Sequence, residues 1–175
     1  ARRHFELALQ LSESIPIPAG PPDLDRVALL QRAADVAVLA GDPAAAVDLA
    51  RRALADLGPG ADPRREAAIH ERLRWYLWES GDHGGAEAAL EEAYRLVPAD
   101  PPSATRARVL GQFGGLRLRQ GRWAESLALA EEAVDVARVS GALAYLAFAL
   151  GVRCCGRTVL GRPTDGIADL RDGLA

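Results

Sequence analysis

The chain has 175 residues, 49% of them apolar but only 5% aromatic, and a formal net charge of −3. That length suits one ordinary domain or about four to five helical repeats, and no global basic field is present to draw nucleic acid. All 21 basic residues are arginine, which excludes a P-loop lysine, a Schiff-base lysine and a serine–lysine dyad; the further lack of asparagine and methionine fits a GC-rich bacterial genome.

Residues 1–14 place Phe5, Leu7, Ala8, Leu9 and Leu11 in a helical pattern, and a proline-rich link runs from Ile15 to Pro22. Asp23 reads as the N-cap of the next helix, in which Val27, Leu30, Ala34 and Val38 keep a helical period up to Gly41. Asp42-Pro43 supplies a cap and a proline at the first helical position, so a second helix runs to about Leu57. Asp62-Pro63 repeats that start signal for a helix ending near Ser80, and a further helix spans 83–97. Pro101-Pro102-Ser103 opens a helix reaching Gln120. Helices over 123–138 and 142–160 follow, and another begins near Thr164. The reading is nine helices and no strand.

The order within that list is periodic. Gly41, Gly81, Gly121 and Gly161 stand 40 residues apart. Five residues past each glycine is a small residue, Ala46, Ala86, Ser126 and Gly166, and twelve past it another, Ala53, Ala93, Ala133 and Gly173. Small residues at two fixed helical phases allow helix axes to approach to ~8–10 Å, and four copies in register indicate a stacked array.

At these residues the chain resembles the tetratricopeptide repeat (TPR). The turn and both small positions match, Trp123 fills the turn aromatic and Pro98 the later proline, although the family's usual period is ~34 residues. The resemblance implies an all-α, right-handed superhelical array of antiparallel helix pairs. Its units fall at about 1–15 (partial), 23–58, 62–98, 103–139 and 142–175 (truncated), within one domain cut from a longer protein. Residues 1–14 would complete a pair whose first helix is missing.

The resemblance also implies a groove lined by one stripe of the first helix of each pair. Its members here include Gln31 and Asp35, then Glu71, Trp75 and Trp78, then Arg108 and Arg119, then Cys155, with Phe148 and Gly151 beside it. Trp75 and Trp78 share a face and suit either a groove anchor or the core. Arg108 and Arg119, about three turns apart, suit a carboxylate, phosphate or acidic peptide, or else an ion pair between Glu79 and Arg119.

Other chemistry is thin. His4, His70 and His83 lack metal-ligand spacing, and no cofactor is expected. The adjacent Cys154-Cys155 read as two small residues in a packed helix, Gly111, Gly114 and Gly115 as close helix packing or local flexibility, and the Glu91-Glu92 and Glu131-Glu132 pairs as solvated outer-face residues. No catalytic constellation is found, so a non-enzyme is expected. With no membrane span or signal layout, the expected location is cytoplasmic.

Turns such as Leu39-Ala40-Gly41-Asp42-Pro43 and Gln120-Gly121-Arg122-Trp123-Ala124 also resemble the C-terminal region of large bacterial LuxR-type, MalT-like ATP-dependent regulators. That resemblance implies a sensor binding an effector small molecule or a partner protein and signalling to adjacent ATPase and helix-turn-helix domains, with no direct DNA contact. The alternative is a scaffold holding an acidic or extended peptide.

Overall fold

The computed structural model describes residues 25–58 and 60–172, and these are helical throughout apart from short turns. Eight helices are present among them: α1 Arg26–Leu39, α2 Pro43–Leu57, α3 Pro63–Glu79, α4 His83–Leu96, α5 Ala104–Arg119, α6 Trp123–Ser140, α7 Leu143–Val159 and α8 Pro163–Asp172. The ninth expected helix, on residues 1–14, lies outside the described residues, as do Asp23 and Gly173. The cap of α1 is Asp25, whose side chain accepts the Ala28 N–H at 2.8 Å, so this helix starts later than its apolar pattern suggested.

The turn glycines are explained by backbone geometry. Gly41, Gly81, Gly121 and Gly161 have φ of 82°, 87°, 74° and 83°, in the left-handed region that costs glycine least. Beyond each, one backbone N–H reaches five residues back. Asp42 donates to Ala37, Asp82 to Leu77, Arg122 to Arg117 and Arg162 to Arg157, at 2.8–2.9 Å. These bonds close a Schellman motif that satisfies carbonyls at each helix end and reverses the chain in two residues. Gly141 does the same between α6 and α7, where Ala142 donates to Ala137 at 2.8 Å; α6 therefore continues to Ser140, past its expected end.

Asp42 accepts the Ala45 N–H at 3.1 Å, Asp62 that of Arg64 at 3.0 Å and Ser103 that of Arg106 at 3.2 Å, so the three start signals act as caps.

The described helices fall into two compact units, divided between Ala93 and Tyr94 near the end of α4. In the first, Ala34 and Ala37 of α1, Ala46, Val47 and Ala50 of α2, Leu73, Tyr76 and Leu77 of α3, and Ala86 and Ala89 of α4 share one core. In the second, Leu110 of α5, Ala133 and Val134 of α6, and Ala149 and Leu150 of α7 do the same, with Tyr94 stacked on Phe113 at 4.5 Å. The repeated small positions are the innermost points of these cores: Ala46, Ser126, Ala53, Ala93 and Ala133 have no exposed surface and Ala86 has 1%. Gly114 meets the Ser126 carbonyl and the Leu129 side chain, which places it at the α5–α6 contact.

Candidate inner-face sites

In the first unit, α1 and α3 bring Asp35 against two residues of α3. The Arg72 guanidinium lies 2.5 Å from Asp35 Oδ1, and the Tyr76 hydroxyl donates to the same oxygen. Burial disfavours the Tyr76 phenolate, and the bond to Asp35 holds its proton, so this phenol ionises well above the usual tyrosine range. The Arg72 guanidinium also sits 5.3 Å from the Trp75 ring centroid.

Trp75 is half-buried against the core cluster, and its indole N–H donates to Glu79 Oε1 at 3.2 Å. Trp78 is 40% exposed and its ring lies 4.3 Å from that of His83, at the turn into α4. The two tryptophans thus have different surroundings: one braces the core, the other packs beside its own turn. Gln31 is half-buried, while Glu71 is only 4% exposed, 3.9 Å from Arg74. Glu71 belongs to the interior of this unit more than to its surface.

In the second unit the same register carries glycine. Gly111 and Gly115 of α5 face Phe148 of α7; a Cβ on Gly111 would lie 3.3 Å from the Phe148 ring and one on Gly115 3.7 Å from it. Phe148 is nonetheless 45% exposed, and a Cβ on Gly151 would meet nothing within 4 Å. Arg108, at one end of this strip, lies over the Tyr145 ring at 5.6 Å, and a Cβ on Gly115 would lie 3.9 Å from the guanidinium of Arg119, at the other end. Eleven residues of helix separate the two arginines by ~16 Å. Cys155 is exposed and Cys154 half-buried, and both are free thiols. Among the described residues no group of three or more histidines, cysteines or carboxylates could hold a metal ion, and no helix is long and apolar enough to cross a membrane.

Several partners escaped the sequence reading. Arg72 and Tyr76 lie one turn apart on α3, at 37 and 41 residues beyond Asp35. The pair that Asp35 meets therefore brackets the 40-residue repeat period, a signal available in the sequence. The glutamates expected to be solvated on the outer face keep exposed side-chain surface there and are also ion-paired: Arg106 holds Glu132 at 2.5 Å and Arg157 approaches Glu131 at 3.4 Å. In α6 these carboxylates neutralise arginines from α5 and α7. A buried ion pair, Arg153 with Asp169 at 2.5 Å, was not foreseen at all.

No family model matches the chain, and no curated protein matches it. Among solved structures, the crystal structure of BtubC (BKLC) from P. vanneervenii is similar at a TM-score of 0.78 and 17% identity, over 99% of this chain and 70% of its own. Two crystal structures of a kinesin-light-chain-type protein from Podosopora anserina, with nearly identical TPR-like repeats, are similar at a TM-score of 0.68 and 15% identity. They cover 98% and 99% of this chain and 82% and 85% of their own. Likeness at this level shows the fold, and the chain has the all-helical, TPR-like repeat fold.

Proposed function

We propose that the chain is a non-catalytic interaction module, and that the face built by α5 and α7 in its second unit holds an extended acidic segment of a partner protein. The observation that carries this reading is charge. Arg108 and Arg119 stand about three turns apart on α5, and neither α5 nor α7 has a carboxylate of its own. Between Arg108 and Arg119 the floor is glycine and an exposed phenylalanine, where a peptide backbone can approach closely and an apolar side chain can rest. At the face around Asp35, Arg72 and Trp75, the Asp35 and Arg72 charges pair with each other beside an aromatic ring.

The test is a peptide array probed with the purified protein, followed by titration of the best binders. Acidic peptides should bind more weakly as salt rises, and Arg108→Glu or Arg119→Glu should cut affinity tenfold or more. Binders that ignore both substitutions would overturn the assignment.

The finer reading, a bacterial cytoplasmic sensor in a LuxR-type, MalT-like regulator, rests on the resemblance of the turns. It makes a different prediction. A metabolite should stabilise the protein saturably, and Trp75→Ala and Trp78→Ala should abolish that stabilisation.

A further inference from the structure

The last helical hairpin is assembled differently from the other three. Helix α2 buries Ala46, Val47, Ala50 and Ala53, α4 buries Ala86, Ala89, Leu90 and Ala93, and α6 buries Ser126, Leu127, Ala130, Ala133, Val134 and Ala137. Helix α8 seats a carboxylate there instead, Asp169, which is 2% exposed, beside the buried Gly166.

The residues at that seat depart from the repeat in a coordinated way. Where α8 has Asp169, the equivalent positions are Leu49, Ala89 and Leu129. Where α7 has Arg153, they are Ala33, Leu73 and Phe113, and where it has Arg157 they are Ala37, Leu77 and Arg117. An apolar contact has been exchanged for charges.

The geometry resembles a bound anion. Asp169, 2% exposed, accepts from both guanidinia through one oxygen, Oδ1: Arg153 Nη2 at 2.5 Å and Arg157 Nη1 at 2.9 Å. Its other oxygen, Oδ2, is buried and accepts no hydrogen bond, and the Nε groups of both arginines are buried and donate none. The seat therefore has more donor capacity than this carboxylate uses. Arg153 itself is only 8% exposed. Arg157 also approaches Glu131 at 3.4 Å, so Arg153 is the guanidinium that a vacated seat would leave without its partner, and a buried charge in that state is strongly disfavoured and would recruit another carboxylate.

We propose that Arg153 and Arg157 form a two-guanidinium carboxylate site on α7, and that Asp169 occupies it as an internal ligand, latching α8. Loss of that carboxylate frees α8 while α5 and α6 stay folded, and an external carboxylate can take its place. The site lies between α7 and α8 and stands independently of the inner-face reading.

The experiment is hydrogen exchange on the purified protein, with sodium acetate as the probe and sodium chloride at equal ionic strength as the control. In Asp169→Ala, amides of α8 should exchange at least tenfold faster than in the parent, with α5 and α6 unchanged. Acetate, and not chloride, should restore protection saturably. The double variant Arg153→Leu with Asp169→Leu, which gives the hairpin the apolar contact of its neighbours, should keep α8 protected and be indifferent to acetate. Unchanged exchange in Asp169→Ala, loss of protection throughout α5–α8, rescue no better than chloride, or acetate-sensitive protection in the double variant would each overturn the proposal.

Discussion

Two glycines within sixteen residues should respond to the same substitution with opposite sign. In Gly151→Ala the new Cβ meets nothing within 4 Å, so the change removes a flexible residue from the middle of α7 at no steric cost. The gain is the glycine-to-alanine difference in helix propensity, ~1 kcal/mol. In Gly166→Ala the same gain is opposed, because the Cβ would lie 2.9 Å from the Cys154 carbonyl oxygen and 2.8 Å from Thr158 Oγ1. The threonine hydroxyl can rotate away, but the carbonyl is fixed in α7 and the helices must part. Overpacking of that kind costs ~1–3 kcal/mol, leaving a net loss of ~0–2 kcal/mol. For a chain of this length 1 kcal/mol moves the melting temperature by ~2–4 °C, so circular dichroism at the helical band resolves the pair. Gly151→Ala should melt higher than the parent and Gly166→Ala lower. Equal melting temperatures for the two variants would refute the close approach of α8 to α7. Gly151 also lies on the face proposed for partners, so Gly151→Ala should weaken acidic-peptide binding while raising stability.

Other perturbations follow from the same contacts. Ala133→Leu forces a larger side chain into a position with no exposed surface and should cost ~1–3 kcal/mol in urea denaturation. Tyr76→Phe removes the bond to Asp35 and should cost ~1 kcal/mol at neutral pH. Because the folded Tyr76 phenol holds its proton more tightly than the unfolded one, its contribution is fully present below pH ~10 and is lost as pH rises from there through the folded value. Tyr76→Phe should flatten that alkaline decline, and an unchanged decline would assign it to another group. Trp75→Ala, which opens the first unit's core, should destabilise by ~2 kcal/mol in urea denaturation, whereas Trp78→Ala, at an exposed ring beside its own turn, should cost less than half as much.

The inner faces show where reading by repeat register works and where it stops. Register puts Asp35, Trp75, Gly115 and Cys155 at one phase of four helices, and the structure has each on the first helix of its pair. It could not say that Asp35 would be neutralised by Arg72 and Tyr76 while Gly115 would lie beneath Phe148, because those contacts depend on side-chain reach between helices. Glu71 shows the same limit: its phase matches that of Gln31, yet Glu71 is 4% exposed where Gln31 is half-buried. The outer-face glutamates of α6 show a related limit, since they keep exposed side-chain surface as their phase implies and are ion-paired as well. Their phase marked them as remote from the core, but arginine side chains from α5 and α7 are long enough to reach them.

By itself the sequence determined the hairpin architecture: the glycine spacing, the Asp-Pro and Ser caps and the two small phases are local or strictly periodic constraints. Left-handed turns and close helix contacts admit few residue types, so such constraints are visible without coordinates. Tertiary structure alone decided how charge is distributed. Whether an arginine faces a partner, an aromatic ring or a buried aspartate depends on residues 12–41 positions away, and a single repeat can exchange an apolar contact for Arg153, Arg157 and Asp169 without disturbing the helical period that announces it.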